Sequence, residues 1–80
     1  MAQDTEERNE TMGRRLASLR ALKGWTQAEV ADKAGTSQAY ISLLENDLAP
    51  RPSVPIIEKL ARIYDASLEY IVRGGATSAA

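Results

Sequence analysis

Eighty residues are enough for one small domain, and the absence of cysteine and histidine excludes disulfides, thiolate metal sites and the commonest general base. No apolar run reaches the length of a membrane span, and the acidic N-terminus is unlike a secretory signal, so the sequence predicts a cytoplasmic protein. No cofactor is expected. The net charge is −1, yet residues 1–10 carry four acidic side chains and one basic one, whereas residues 11–80 carry nine basic and seven acidic ones. The overall acidity therefore does not exclude DNA as a partner.

The chain divides into three segments. Residues 1–10 lack hydrophobic periodicity and predict a flexible acidic arm. Residues 11–73 predict an all-α domain of five short helices. Gly74 and Gly75 end the last helix, so residues 74–80 are expected to form a disordered tail.

The first predicted helix covers residues 11–23 and ends at Gly24, a residue suited to a helix C-terminus. The arginines of this helix fall largely off its apolar face, so Arg14 and Arg15 are expected to be solvated. The apolar face itself contains Met12, Leu16, Leu19 and Leu22.

The second and third helices are predicted on either side of Gly35, which allows a tight turn. Thr26 and Glu29 have the spacing of a capping box at the start of the second helix. Its inward face is expected to contain Ala28, Val30, Ala31 and Ala34. The third helix is predicted to follow Ser37 as N-cap, with Ile41 and Leu44 in the core, and to end at Asn46 and Asp47.

Two prolines in residues 48–52 exclude a helix there. Ser53 is expected to cap the fourth helix, which tolerates Pro55 in its first turn and has a buried stripe of Ile57, Leu60, Ala61 and Tyr64. Ser67 is expected to cap the fifth helix, which contains Leu68, Ile71 and Val72.

Residues 26–46 carry the functional signal. Two helices of about eight residues, joined by a short turn with glycine, are typical of a helix-turn-helix, in which the second helix enters the major groove of DNA. That helix leaves Gln38, Ala39, Ser42 and Leu43 outward. A glutamine can pair with adenine through two hydrogen bonds, and alanine can contact a thymine methyl group.

The chain resembles the lambda-repressor-like, or XRE-type, helix-turn-helix regulators over residues 12–72. The resemblance lies in GRRLASLRALKGWTQ, AEVADKAGTSQAYISLLEN and RPSVPIIEKLARIYDASLEYI. Its most specific part is TQAEVADKAG followed by ISLLEN. The chain departs from the family pattern in two ways. The third predicted helix, which would be the recognition helix in the major groove, has no Arg or Lys, and Asp47 stands where glycine or a basic residue is common.

The resemblance implies roles for individual residues. The outward residues named above would contact bases, and Arg20 and Glu45 would form a structural salt bridge. The last helix would supply a dimer contact through Tyr70 and Ile71. Contacts to the DNA backbone are expected from Gln27, Ser37, Tyr40, Asn46 and Arg51.

The function expected is that of a prokaryotic or phage transcriptional regulator, a repressor or restriction-modification controller. It would bind a pseudo-palindromic operator in double-stranded DNA as a homodimer. The alternatives are an antitoxin-type regulator with a protein partner and a helix-turn-helix that serves protein association alone. Catalysis is not expected, because the sequence has no Cys or His, no glycine-rich phosphate loop and no carboxylate pair in an apolar setting.

Overall fold

The computed structural model describes residues 11–74, which form five α-helices and no strand within that range. The helices are α1 (Met12–Lys23), α2 (Gln27–Ala34), α3 (Gln38–Glu45), α4 (Val54–Ile63) and α5 (Leu68–Arg73). The expected all-α fold is confirmed. The predicted arm and residues 75–80 of the predicted tail lie outside the described residues. No helix between residues 11 and 74 is long and apolar enough to cross a membrane.

The helices begin where their capping residues stand. Each N-cap is a serine or threonine whose side-chain oxygen accepts a hydrogen bond from the backbone N–H three residues later: Thr11, Thr26, Ser37, Ser53 and Ser67. The capping box of Thr26 and Glu29 is complete. Gly24 and Gly35 end α1 and α2 in the left-handed conformation.

The core is a single cluster to which every helix contributes. It is built from aliphatic side chains and one tyrosine: Leu16, Val30, Ala31, Ala34, Ile41, Leu44, Ile57, Leu60, Ala61, Tyr64 and Ile71. Trp25 lies at the edge of this cluster with its ring stacked on Tyr64, the two ring centroids 6.1 Å apart. Trp25 therefore covers the core at the junction of α1 and α2.

Two apolar residues expected on inward faces are exposed. Leu22 lies in the last turn of α1 and is 83% exposed, whereas the buried residues of α1 lie in its first half. Ala28 lies in the first turn of α2 and is also exposed, whereas Val30, Ala31 and Ala34 form the buried face.

Arg15 is buried, contrary to the expectation of a solvated side chain, and is only 4% exposed. Its Nε donates to the carbonyl oxygen of Ile71 at 2.9 Å, and its Nη2 donates to that of Val72 at 3.0 Å. The last carbonyls of a helix have no partner within the helix. The Arg15 guanidinium supplies that partner for α5 and so ties α5 to α1.

Ile71 is a core residue with 0% of its surface exposed. Its side chain therefore cannot face a second copy of the chain, which corrects the expectation that Ile71 contributes a dimer contact. Periodicity in a helix of six residues does not separate the buried position from its neighbours. The exposed apolar residues of α5 are Leu68 and Val72, and Tyr70 is half-buried.

Candidate nucleic-acid interface

The turn between α2 and α3 consists of residues 35–37. Gly35 has φ +74°, and the N–H of Thr36 donates to the carbonyl oxygen of Ala31 at 2.9 Å. The chain thus reverses immediately after α2, and Ser37 starts α3 by capping the N–H of Tyr40. This tight connection holds two eight-residue helices against each other as a helix-turn-helix.

The outward face of α3 is uncharged. Gln38, Ala39 and Leu43 are exposed, the last by 40%, and Ser42 is half-buried. Ile41 and Leu44 on the same helix are buried. The face offers one amide, one hydroxyl and two apolar side chains, a set that suits contact with base edges better than contact with phosphate.

The residues expected to contact the DNA backbone lie at the ends of α2 and α3 and in the following loop. The Tyr40 hydroxyl oxygen accepts from the N–H of Ser53 at 2.8 Å, which leaves the hydroxyl hydrogen to be donated elsewhere. Asn46 Nδ2 donates back to the carbonyl oxygen of Ser42 at 2.8 Å. Arg51 is exposed in the loop before α4.

Glu45 joins three helices through one carboxylate. Its Oε2 accepts from Arg20 Nε at 2.7 Å, and its Oε1 accepts from both Arg20 Nη2 and Gln27 Nε2 at 3.0 Å. Arg20 Nη1 also donates to the carbonyl oxygen of Trp25. The ion pair implied by the family resemblance is therefore present, and it also holds the side chain of Gln27.

The ion pair affects the titration of its surroundings. The hydrogen bond from Arg20 to Glu45 raises the pKa of Arg20 above its ordinary value. Burial raises the pKa of Tyr64, and the negative charge of Glu45 raises it further. Both shifts favour the charge states in which Arg20 is positive and Tyr64 is neutral.

Sequence reasoning missed a contact between the start of α1 and the residue after Asn46. The N–H of Gly13 donates to Asp47 Oδ1 at 2.9 Å, across 34 positions of the chain. A glycine inside a helix and an aspartate at an unusual position were the only signals, and neither indicates its partner. Within residues 11–74, no group of acidic residues is arranged to hold a metal ion.

Comparison with known protein families agrees with this geometry. The sequence model of the helix-turn-helix domain family matches residues 11–70. The chain belongs to this family. The helix-turn-helix chain is 33% identical over 61 residues to the HTH-type transcriptional regulator SinR of Bacillus subtilis, covering 76% of this chain and 55% of SinR. It is 40% identical over 60 residues to the competence pilus inhibition repressor of Acinetobacter baylyi, covering 75% of this chain and 54% of that protein. The chain thus spans about half the length of these relatives.

The fold is that of lambda-repressor-like helix-turn-helix domains. The P22 c2 repressor, in a structure with a synthetic operator, matches with a TM-score of 0.77 and 25% identity over 81% of this chain and 97% of that one. SinR in complex with DNA matches with a TM-score of 0.71 and 33% identity, over 76% of this chain and 97% of that one. The residues that form the helix-turn-helix thus fold as in proteins whose structures contain DNA.

Proposed function

We propose that this helix-turn-helix chain is a sequence-specific DNA-binding transcriptional regulator of the repressor type, with α3 as its recognition helix. The observation that carries the proposal is the uncharged outward face of α3 on a helix-turn-helix. Two structures that match this fold, those of the P22 c2 repressor and SinR, contain DNA. A cytoplasmic location is part of the proposal.

The outward face of α3 would supply the base contacts. The Gln38 amide can donate to N7 and accept from N6 of an adenine, and the methyl group of Ala39 and the side chain of Leu43 can contact thymine methyl groups. Ser42 would add a hydroxyl to the same groove. Since α3 has neither Arg nor Lys, the usual bidentate contact to guanine would be missing, and A·T pairs would carry most of the preference.

Contacts to the DNA backbone would set the register of α3. The Gln27 amide has two hydrogens, one of which is directed to Glu45, so the other remains for a phosphate. The hydroxyl hydrogens of Ser37 and Tyr40 would be donated to phosphates near the start of α3. Asn46 and Arg51 would contact the backbone beyond its end.

We further propose that two copies bind a pseudo-palindromic operator, with their recognition helices about 34 Å apart in successive major grooves. Tyr70 is the remaining candidate for a dimer contact, since Ile71 is buried. A repressor or a restriction-modification controller fits this arrangement. A purely protein-associating helix-turn-helix is less favoured, because Leu43 is the one large apolar side chain on the outward face of α3. No observation on residues 11–74 selects an antitoxin-type partner.

Selection of bound sequences from a random double-stranded DNA pool tests the proposal. The wild type is expected to enrich a motif with two-fold symmetry, and Gln38→Ala is expected to lose an A·T preference within each half. Ser18→Ala, an exposed change on α1, is the matched control and should enrich the wild-type motif. Folded wild-type protein that enriches no motif would refute the proposal and would favour a protein partner instead.

A further inference from the structure

Asp47 follows α3 in a backbone conformation that few residues adopt. Its φ is +59°, in the left-handed region that is populated mainly by glycine and, less often, by asparagine and aspartate. In this conformation the N–H of Asp47 donates to the carbonyl oxygen of Leu44, and the N–H of Leu48 donates to that of Leu43. Asp47 therefore ends α3 and turns the chain toward the loop that contains Arg51.

The side chain of Asp47 contacts the start of α1. Its Oδ1 accepts a hydrogen bond from the N–H of Gly13 at 2.9 Å. The N–H groups in the first turn of a helix lack partners within the helix, and a negative charge there is stabilised by the helix dipole. The first turn of α1 contains no acidic residue of its own, so Asp47 supplies that charge from a distant part of the chain.

Gly13 lets the two backbones approach closely. A Cβ atom at this position would lie 2.5 Å from the carbonyl oxygen of Leu44 and 2.6 Å from that of Glu45, both in the last turn of α3. Cβ atoms essentially never lie this close to non-bonded backbone atoms, so no other residue fits here without movement of the backbone. The last turn of α3 is thus held directly against the first turn of α1.

We infer that Asp47 is a positioning residue for DNA recognition, an inference that rests on the proposed function. Its hydrogen bond to Gly13 fixes the C-terminal end of α3 on α1, and its left-handed backbone directs the following loop. Asn46 immediately before it and Arg51 four residues after it are thereby placed along one stretch of the DNA backbone. The Asp47 carboxylate is directed to α1 and does not contact DNA.

Three substitutions at residue 47 separate the features of Asp47. Asp47→Asn keeps an acceptor oxygen and tolerates the left-handed backbone, Asp47→Gly keeps only the backbone freedom, and Asp47→Ala keeps neither. All three remove the negative charge, so Asp47→Asn is the matched control for charge. Affinity for the DNA enriched by the wild type is measured at a temperature where circular dichroism shows each variant folded. Phosphate-ethylation interference maps the contacts to the DNA backbone.

The inference predicts that Asp47→Asn binds at least as tightly as the wild type. Asp47→Gly and Asp47→Ala are expected to bind about tenfold more weakly and to lose interference at the phosphates farthest from the start of α3. Exchange of the Gly13 amide hydrogen, measured by NMR without DNA, should stay slow in Asp47→Asn and become fast in Asp47→Gly.

Equal affinity and equal interference for all three variants would overturn the inference and leave Asp47 as a local end of α3. Tighter binding by all three would instead show that the carboxylate merely repels DNA, which also overturns it. Both results can be obtained only if the wild type binds DNA. They are therefore distinguishable from failure of the proposed function, in which the wild type enriches no DNA sequence. That failure would overturn the inference as well.

Discussion

The side chain of Gln27 donates a hydrogen bond from Nε2 to Oε1 of Glu45 at a distance of 3.0 Å. Gln27 is the first residue of α2 and a proposed phosphate contact, whereas Glu45 is the last residue of α3 and is buried in its ion pair with Arg20. The salt bridge that stabilises the fold therefore also orients a side chain of the proposed DNA surface. Because this hydrogen bond already fixes the Gln27 side chain in the free protein, less side-chain entropy is lost when the second amide hydrogen is donated to DNA.

Gln27→Ala is expected to weaken binding to every DNA sequence by about the same factor, roughly three- to tenfold, because a phosphate contact carries no base preference. Fluorescence anisotropy with the enriched sequence and with a scrambled sequence measures both affinities. Gln38→Ala serves as the contrasting variant and should weaken binding mainly to the enriched sequence. If Gln27→Ala changed the ratio of the two affinities as much as Gln38→Ala does, the phosphate role of Gln27 would be wrong.

Removal of the Glu45 carboxylate is expected to destabilise the fold. Glu45→Met leaves the Arg20 guanidinium, whose side chain is 24% exposed, without its counter-charge and removes the acceptor of Gln27. We expect a loss of roughly 2 to 3 kcal/mol in the free energy of unfolding, measured by urea denaturation. The double variant Arg20→Met/Glu45→Met should be more stable than the sum of the two single changes predicts. Strict additivity would show that the pair does not interact in solution.

Gly13→Ala is expected to destabilise the chain by about 1 to 3 kcal/mol, although alanine favours helix more than glycine does. The reason is the approach of α3, whose carbonyl oxygens lie within 2.6 Å of the position that a Cβ would occupy. Thermal unfolding followed by the fluorescence of Trp25, the sole tryptophan, measures the change. Ser18→Ala on the exposed side of α1 is the matched control and should shift the midpoint little. A Gly13→Ala chain as stable as this control would contradict the close packing of α1 on α3.

Tyr64 is expected to make the fold sensitive to alkaline pH. Burial and the nearby Glu45 charge raise the pKa of Tyr64 in the folded chain above the value of about 10 for a solvated tyrosine. The folded chain therefore retains the proton that the unfolded chain releases first, so the free energy of unfolding is unaffected below about pH 10 and falls above it. Urea titrations between about pH 9 and pH 11 measure this decrease in the free energy of unfolding. The decrease should be smaller in Tyr64→Phe than in the wild type, whereas the comparison variant Tyr70→Phe should show the same decrease as the wild type. An unchanged pH slope in Tyr64→Phe would contradict the account.

The helix boundaries could be predicted because their determinants are local. Thr26 and Glu29 form a capping box within four residues, and Gly35 with Ser37 defines the turn before α3 within three. The core stripes of α3 and α4, and that of α2 apart from Ala28, followed from the spacing of apolar residues for the same reason. Cap chemistry and periodicity need no knowledge of which helix packs on which.

The errors concern positions whose environment depends on distant parts of the chain. Leu22 continues the apolar stripe of α1, but its side chain is exposed, since the buried residues of α1 lie in the first half of the helix. Arg15 has a charge that favours solvent, yet it is buried because the carbonyls at the end of α5 accept its hydrogen bonds. The contact of Gly13 with Asp47 spans 34 residues, and no local pattern encodes it. Contact of individual side chains with DNA remains a prediction for the same reason, since the partner lies outside the chain.

The proposed recognition by α3 is tested most directly by changing protein and DNA together. Each base pair of one half of the enriched motif is replaced in turn, and the affinity is measured for the wild type and for Gln38→Ala. The account predicts one A·T position at which replacement costs the wild type about 1 to 3 kcal/mol but costs Gln38→Ala little. Parallel profiles for the two proteins at every position would show that Gln38 does not contact a base and would contradict recognition through this face of α3.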